Sequence, residues 1–314
     1  MKLSLLVQVY NGGEYWRECW KSVLENQDVF EHIFVSIGKS PKQEDDIALI
    51  RDCKLEKLHW IRQDRNMSAR DHGEKLDHWV GSFQPEGHIF FLCHDDILLR
   101  DGLLKLKELD LREDDAVFGP FRFFSDDGGR EIMVREFHRD DDRPVSGEMF
   151  CFLQDQCSYT YNVSGTVLPA VLFRIPHAPW HFQSYGCRSE NCHLCNPYVK
   201  RIWQTAEPTV KIRTHSGSEG SHLPSDAMQY DTMVYLLSAF VTYRNPSLRL
   251  ILMRSLGYVI RTSPLRGIRY FLLLQVRLAG LGYYYPEALK IYGYLLRIIG
   301  GKAVNLLKRF LHAG

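Results

Sequence analysis

Residues 88–99 read His-Ile-Phe-Phe-Leu-Cys-His-Asp-Asp-Ile-Leu-Leu, and this stretch decides the fold. An uninterrupted apolar run rich in aromatic residues is typical of a strand buried on both faces. It ends in two adjacent carboxylates, Asp95 and Asp96. Ligands of open α/β sheets bind at the carboxyl ends of the strands, and two hard oxygen donors there suit a divalent cation held against phosphate oxygens. The alternative is a solvated Asp-Asp turn that caps a helix beginning at Asp101.

The residues before this stretch alternate between short apolar runs and amphipathic segments. Strands are predicted at 3–10, 32–37 and 58–61, each bounded by polar or glycine-rich turns. Apolar residues in 14–27 recur at three- and four-residue spacing, which indicates a helix. Further helices are predicted through Ile47 and Ile50 and toward Trp79. This alternation predicts a parallel sheet wound by right-handed crossovers.

The composition is that of a globular protein whose charge is unevenly distributed. Of the 314 residues, 45% are hydrophobic and 25% charged, which allows one large or two modest domains. Residues 244–314 hold 12 basic residues and one acid, a net charge of +11, whereas the other 243 residues carry a net charge of −10. The apolar run at the start is too short for a signal peptide, and no uninterrupted stretch could span a bilayer, so a cytoplasmic protein is expected.

Three segments in the first hundred residues carry a resemblance to a known family. Residues 8–12 read Gln-Val-Tyr-Asn-Gly, residues 66–73 read Asn-Met-Ser-Ala-Arg-Asp-His-Gly, and residues 91–98 read Phe-Leu-Cys-His-Asp-Asp-Ile-Leu. In order and spacing they are similar to the Pro-Val-Tyr-Asn, Asn-x-Gly-x-x-x-Ala-Arg-Asn-x-Gly and Phe-Leu-Asp-x-Asp-Asp-Ile-Leu motifs of family 2 glycosyltransferases, with Arg70 on the family's Arg. The chain thus resembles this family, and in particular its bacterial surface-polysaccharide members.

The resemblance implies an architecture and a donor site. It implies the GT-A fold, an α/β class with a mostly parallel, Rossmann-like central sheet, followed by an all-helical C-terminal extension. The catalytic domain would span 1–222, with a nucleotide-sugar half at about 1–100 and an acceptor half at 101–222, and the helical region would span 223–314. The residues expected to bind the nucleotide sugar are Gln8, Tyr10, Asn11, Ile37, Asn66, Arg70, His94, Asp95 and Arg213.

Two positions depart from the family pattern. Cys93 stands where the first Asp of the metal motif usually lies, which leaves His94, Asp95 and Asp96. Ile37 stands where an Asp normally touches the nucleobase, so the identity of the base stays open. Asp95 remains the carboxylate expected to reach the cation.

Residues 208–215 resemble the family's Tyr-Arg-x-His strand, which ends the catalytic domain. The resemblance makes His215 a candidate third metal ligand beside Asp95 and Asp96. Arg213 and the glycine-rich loop at 216–222 are candidates for holding the phosphates. A surface histidine in a polar loop is the alternative.

Two further segments are assigned by the resemblance to the acceptor half. The Ser/Gly-rich residues 161–168 would form a floor under the sugar, where small side chains let the donor approach the backbone, or else a plain buried strand with a glycine bulge. Glu190 fits the family's Glu-Asp pair with one carboxylate and is the sole acid between Trp180 and Trp203. It is therefore the candidate catalytic base, the alternative being a surface glutamate.

Three other patterns are given structural readings. A helix is expected after Asp101, then a strand pair at 116–124 and 130–137 joined by a turn at 125–129. The acidic run at 140–142 is interpreted as a solvated loop. Cys187, Cys192 and Cys195, with His193, are interpreted as reduced thiols because the spacing lacks the second half of a zinc site.

The basic C-terminal quarter predicts helices at 228–243, 248–260, 265–281 and 286–311. In the last of these, an apolar face with interfacial Tyr292 and a cationic rim suits a helix lying in an anionic membrane surface. Docking onto the acidic first part of the chain, or a contact between copies of this chain, are the alternatives. Nucleic-acid binding is not expected, because the cations alternate with aliphatic runs rather than with exposed stacking residues.

The resemblance to family 2 glycosyltransferases implies a metal-dependent inverting glycosyltransferase. It would use Mg²⁺ or Mn²⁺ and a nucleotide-diphosphate sugar, and its acceptor would be a hydroxyl of a glycan or lipid-linked glycan in cell-surface polysaccharide synthesis. The expected location is the cytoplasmic face of the cell membrane. The alternative is an inactive GT-A relative that binds sugar nucleotides or glycans, for which Cys93 and the lost acid at Asn191 argue.

Overall fold

The computed structural model describes residues 1–65, 69–125, 131–135, 144–146, 164–174, 198–205 and 207–215, together with positions 269, 272, 297 and 300. The chain divides into two compact units, Met1–Ala227 and Met228–Gly314. The predicted boundary at 222/223 stays a prediction. Within the described residues, no helix is both long enough and apolar enough to cross a bilayer.

The first half of the described chain alternates strand and helix as the sequence predicts. The strands are β1 (Leu3–Val9), β2 (Ile33–Ile37), β3 (Leu58–Arg62) and β4 (His88–Cys93). The helices between them are α1 (Gly13–Glu25), α2 (Gln43–Arg51) and α3 (Ala69–Ser82). A short 3₁₀ turn, Gln27–Val29, follows α1. All four strands are parallel in the order β4-β1-β2-β3, which confirms the predicted parallel sheet.

The second half completes this sheet and adds a smaller one. Its elements are β5 (Ile97–Leu98), α4 (Arg100–Glu108), β6 (Asp115–Phe118), β7 (Phe121–Ser125), β8 (Glu131–Arg135), β9 (Val167–Pro169), β10 (Arg201–Gln204) and β11 (Val210–Thr214). A 3₁₀ turn, Ala170–Phe173, follows β9. The main sheet has the order β10-β6-β9-β4-β1-β2-β3, and the second has the order β5-β11-β7-β8. Only β9 runs antiparallel to its neighbours in the main sheet.

The predicted strand at 116–124 is wrong as a single element. It is two strands, β6 in the main sheet and β7 in the second, separated by Gly119-Pro120. Proline cannot donate to a strand ladder, and a Cβ on Gly119 would lie 2.1 Å from Thr205 Oγ1. The chain therefore leaves one sheet at this point and enters the other. The antiparallel pairing of β7 with β8 confirms the predicted strand pair.

Apolar side chains cover both faces of the main sheet. One cluster holds alternate residues of β1, β2 and β4 against Trp16 and Val23 of α1, and the other packs Leu6, Phe34 and Phe91 against α3. This double coverage explains why the strands read as unbroken apolar runs.

At the amino-terminal edge of the main sheet, a buried carboxylate joins β6 to β10. Asp115 is fully buried and accepts hydrogen bonds from Arg201 Nε at 2.7 Å, Trp203 Nε1 at 3.0 Å and the Arg112 N–H at 2.9 Å. Burial alone would raise the pKa of Asp115, but these donors outweigh it and hold the pKa below its usual value. The cluster lies at the sheet edge opposite the carboxyl ends of the strands and is structural.

Candidate functional site

The carboxyl ends of β1, β2 and β4 meet at one edge of the main sheet, where Tyr10, Gly38 and the Cys93–Asp96 turn follow the strands. Crevices at such an edge are the usual ligand sites of open α/β folds. Residues 8–12, the end of β2 at Ile37 and residues 91–98, which were all singled out from the sequence, thus approach one another here.

The loop after β1 is held by a buried carboxylate on α2. Asp46 is fully buried and accepts hydrogen bonds from the N–H groups of Gly12 at 3.1 Å and Gly13 at 2.8 Å. Its carbonyl oxygen accepts a third bond from Trp16 Nε1 at 3.1 Å. Asn11 and Gly13 adopt positive φ angles of 54° and 55°. Asp46 therefore satisfies the free N–H groups at the start of α1 and fixes the turn that presents Tyr10.

The sequence-predicted donor residues at this edge differ in accessibility. Tyr10 is 56% exposed, and its ring lies against Gly38, on which a Cβ would come within 3.1 Å of Tyr10 Cδ2. Ile37 is fully buried in the core, and its carbonyl oxygen accepts hydrogen bonds from Gln63 N–H and Gln43 Nε2. Gln8 is half-buried, and its backbone hydrogen-bonds the His94 imidazole. The exposed aromatic face here is that of Tyr10.

The turn that follows β4 is fixed through Asp96. This carboxylate is 3% exposed and accepts hydrogen bonds from the Arg213 N–H at 2.9 Å and from the Ser164 hydroxyl. Ser164 Oγ in turn accepts the Cys93 N–H at 2.8 Å. Asp96 was predicted as a metal ligand, and both of its oxygens accept the hydrogen bonds that fix this turn. Three possible ligand atoms lie within 4.8 Å of one another at the turn: Cys93 Sγ, one Asp95 oxygen and one Asp96 oxygen.

Asp95 projects into the edge and meets the predicted histidine. His215 Nε2 lies 3.1 Å from Asp95 Oδ2, and both side chains are largely buried, with 13% and 18% exposed. The ring of Tyr15 packs 4.7 Å from the His215 ring, between centroids. The ends of β4 and β11 are thereby joined by a carboxylate and an imidazole.

Arg213 of β11 also contacts the turn that follows β4. Its side chain is almost fully buried, its Nε donates to the Asp95 carbonyl oxygen at 3.1 Å, and its guanidinium forms an ion pair with Glu18. The guanidinium also lies over the rings of Tyr15 and Phe124, at 4.7 Å and 4.5 Å from their centroids. Arg213, which was predicted to bind phosphate, is thus held by four contacts, with the Asp95 carbonyl oxygen, Glu18, Tyr15 and Phe124.

Burial sets the protonation of two groups around the turn. It lowers the pKa of His94, although neighbouring Asp95 acts in the opposite sense, so the imidazole is neutral at pH 7. Burial also raises the pKa of the Cys19 thiol, with Asp96 and Asp95 adding to the effect. Cys19 therefore stays protonated and directs its S–H toward the Cys93 carbonyl oxygen at 3.6 Å.

Several predicted residues lie outside the described part of the chain. These are Asn66, Glu190, the 216–222 loop, the acidic run at 140–142 and the Cys187–Cys195 cluster. Arg70 lies in the first turn of α3. The structure therefore brings Asp95 to His215 and Asp96 to Arg213, and the functional roles of all the predicted site residues stay predictions.

Sequence reasoning missed Glu18, Tyr15 and Asp46. Asp46 had a usable signal, because with Gln43, Ile47 and Ile50 it follows the helical spacing of the buried face of α2. Glu18 lies on the outer part of α1 and had no comparable signal. Its role emerges only when β11 brings Arg213 to it.

The donors at the turn fit a divalent cation. The Asp95 carboxylate and the His215 imidazole are in contact, and Cys93 and Asp96 place further donor atoms near Asp95. Carboxylate and imidazole donors together suit Mn²⁺ or a later first-row dication. Asp95 would hold the ion, together with His215 on one side or with Cys93 and Asp96 on the other.

Comparison with known proteins identifies the fold class. No family model matches the sequence, and no curated protein is similar to it. The structure of S. aureus TarS 1–349 in complex with UDP-GlcNAc matches with a TM-score of 0.60 and 16% identity, over 95% of this chain and 81% of that one. S. aureus TarS 1–349 also matches in a second structure, with a TM-score of 0.51 and 16% identity, over 96% and 92% of the two chains.

A third solved structure extends the likeness. GalNAc-T7 with UDP, GalNAc and Mn²⁺ matches with a TM-score of 0.50 and 11% identity, over 84% of this chain and 58% of that one. At these identities the likeness is one of fold. The chain has the GT-A fold of these glycosyltransferases, which confirms the fold class predicted from the sequence.

Proposed function

We propose that this protein is a metal-dependent glycosyltransferase that moves a sugar from a nucleotide-diphosphate donor to a hydroxyl acceptor. The observation that carries the proposal is the contact between Asp95 and His215, which joins the ends of β4 and β11 at the carboxyl edge of a GT-A sheet. The molecules bound in the structures of the fold neighbours, UDP-GlcNAc in TarS and UDP with Mn²⁺ in GalNAc-T7, support a sugar nucleotide and a dication.

Within this proposal the residues of the turn divide the work. Asp95 and His215 hold the cation, and Asp96 and Ser164 keep the turn in place so that Asp95 needs little reorganisation. When bound, the cation neutralises the charge that develops on the leaving diphosphate. The Arg213 guanidinium forms an ion pair with Glu18, and its Nε–H donates a hydrogen bond to the Asp95 carbonyl oxygen. In this proposal Arg213 therefore positions Asp95.

The donor base lies beside Tyr10 in this proposal. An exposed aromatic ring next to a glycine offers a stacking face that tolerates different bases. Gln8, Asn11, Asn66, Arg70 and His94 complete the donor site. Ile37, whose side chain is in the core, supports it indirectly, because its carbonyl oxygen holds Gln43 and Gln63 at this edge.

The finer assignment is to family 2, with inversion at the anomeric carbon. Glu190 removes the proton from the acceptor hydroxyl, which attacks from the face opposite the nucleotide. The acceptor class is a glycan or lipid-linked glycan, as in bacterial surface-polysaccharide assembly.

The test is a panel of UDP-, dTDP- and GDP-sugars, assayed for donor hydrolysis with and without divalent metal. We expect turnover of one nucleotide class that stops when EDTA is added and returns with excess metal. Binding of a sugar nucleotide without turnover under any metal would instead establish the inactive binding relative. Absence of both binding and turnover across the panel would refute the proposal.

Glu190→Gln is expected to lower sugar transfer by at least about a hundredfold, the lower end of what a positioned general base contributes. Donor binding, measured by calorimetry with the active sugar nucleotide, should change little because the base serves the acceptor.

The matched control is Glu56→Gln, at an exposed position between α2 and β3. Equal transfer rates for the two variants would remove Glu190 from the mechanism.

The C-terminal helices are proposed to attach the protein peripherally to the cytoplasmic membrane face. Replacing five basic residues of 286–311 with Gln should reduce sedimentation with anionic liposomes strongly, since each cation contributes about 1 kcal/mol near such a surface. Binding to neutral liposomes should change less. The replaced residues are Lys290, Arg297, Lys302, Lys308 and Arg309.

A matched control removes five exposed cations from the first unit and should leave sedimentation unchanged. Equal loss in both variants would show that overall charge, rather than the tail, determines binding. The control residues are Lys21, Lys39, Lys54, Arg65 and Lys105.

A further inference from the structure

Cys93, which replaces the first Asp of the family's metal motif, lies close to the two carboxylates that follow it. Cys93 Sγ lies within 4.8 Å of an oxygen of Asp95 and of an oxygen of Asp96, and Cys93 is half-buried. Cys19 provides an internal contrast, because it is fully buried and its S–H donates to a carbonyl oxygen. Of these two thiols at the turn, Cys93 is the one that reaches the carboxylates.

The backbone of Cys93 is fixed on both sides. Its N–H donates to Ser164 Oγ at 2.8 Å, and its carbonyl oxygen accepts the Asp96 N–H at 3.2 Å. The side chain can therefore adjust mainly by rotation about χ1. In a zinc-like site with Zn–S of about 2.3 Å and Zn–O of about 2.0 Å, sulfur and oxygen ligands lie roughly 3.5 Å apart. Closing from 4.8 Å or less to that spacing requires only a small rotation.

The charge around the turn favours a cation. Asp95 and Asp96 are two carboxylates, and the nearby guanidinium of Arg213 is paired with Glu18. Arg213 donates its backbone N–H to the Asp96 carboxylate and its Nε–H to the Asp95 carbonyl oxygen. The Asp95 carboxylate contacts His215 instead, and it can also bind a cation. A dication that displaces the thiol proton would balance this excess of negative charge.

We propose that Cys93 is itself a ligand of the cation, so that the site prefers thiophilic dications such as Co²⁺ and Zn²⁺ over Mg²⁺. The inference rests on the proposed function for the presence of a cation at this turn. Mg²⁺ requires oxygen ligands in near-ideal octahedral geometry, whereas thiolate ligands select later transition metals. Metal binding releases the Cys93 proton to solvent and forms the metal–sulfur bond.

The first test is optical and independent of catalysis. Titration of Co²⁺ into the metal-free full-length protein is expected to give a thiolate-to-cobalt charge-transfer band in the near ultraviolet. Cys93→Ser should lose that band, whereas Cys53→Ser, at a half-buried thiol after α2, should keep it. Any contribution from cysteines outside the described residues is common to all variants and cancels in the difference spectra.

The second test measures selectivity by calorimetry with Co²⁺ and Mg²⁺. Cys93→Asp restores an oxygen donor and should raise the ratio of Mg²⁺ to Co²⁺ affinity by at least about tenfold, the scale on which even supporting residues of metal sites act. This variant also serves if Cys93→Ser does not fold.

Three results would each overturn the inference: a charge-transfer band that survives in Cys93→Ser, a wild-type protein that binds Mg²⁺ as tightly as Co²⁺, or a wild-type protein that does not bind Co²⁺. Donor hydrolysis supported by Mg²⁺ alone would leave the transferase standing without thiol ligation. A Cys93-dependent band in a protein that hydrolyses no donor would leave the ligand standing without the transferase.

Discussion

Asp95→Asn is expected to lower donor turnover by at least about a hundredfold. Asparagine retains the shape of the side chain and can still hydrogen-bond His215, but it removes the charge that holds the cation. A cation at a leaving diphosphate contributes several kcal/mol, and each 1.36 kcal/mol corresponds to about a factor of ten in rate. The measurement is nucleotide release from the active donor at saturating metal.

Asp110→Asn is the matched control, because Asp110 is exposed beyond α4. Its turnover should equal that of the wild type, and both variants should unfold at the wild-type urea midpoint within error. Undiminished turnover in Asp95→Asn at low metal concentration would contradict the assignment of the cation to this corner.

Asp115→Ala is expected to lower the free energy of unfolding by about 3 kcal/mol, the low end for breaking a buried ion pair. The substitution leaves Arg201 and the Trp203 N–H without this acceptor and removes the side-chain link between β10 and β6, whose backbone pairing remains. Arg201 keeps 28% of its side chain exposed, so water offsets part of the loss. Urea unfolding followed by circular dichroism measures the change.

The same carboxylate gives stability a defined pH dependence. Because the folded-state pKa of Asp115 is lowered, its contribution is fully present above the unfolded value of about 3.9 and is lost as pH falls through the folded pKa. The difference between wild type and Asp115→Ala should therefore shrink below about pH 4. Asp64→Ala, at an exposed position after β3, is the control, and an equal loss of stability in it would show that the Asp115 ion pair has no special weight.

Three strands of the main sheet could be predicted directly from the sequence because they are buried on both faces. Burial on both faces makes β1, β2 and β4 continuous apolar runs, and the turns between them carry glycine and asparagine. The split at Gly119-Pro120 was missed because both resulting strands are apolar, and only the choice of sheet distinguishes them. At this split Gly119 lies against Thr205, a contact with a residue far along the chain that local patterns do not contain.

The candidate site could be located from the sequence but not resolved into roles. Asp95 and Asp96 are adjacent residues of the same type, yet their partners differ. The Asp96 carboxylate accepts hydrogen bonds from Ser164 and Arg213, whereas the Asp95 carboxylate contacts His215. Arg213 resembled a phosphate ligand from its position, whereas its guanidinium is paired with Glu18. Such differences arise from contacts between segments that are 68 to 195 residues apart, which local patterns do not contain.

The insertion of β9 between β4 and β6 has a consequence for how the chain is made. During translation, the outer edge of β4 waits for Val167, and residues 94–166 take about 4–15 s to be synthesised at ordinary ribosomal rates. For that interval an aromatic-rich strand edge stays open on the nascent chain, where it is vulnerable to pairing with the wrong partner. Correct assembly of the first ninety residues therefore depends on how soon a three-residue strand emerges from the ribosome.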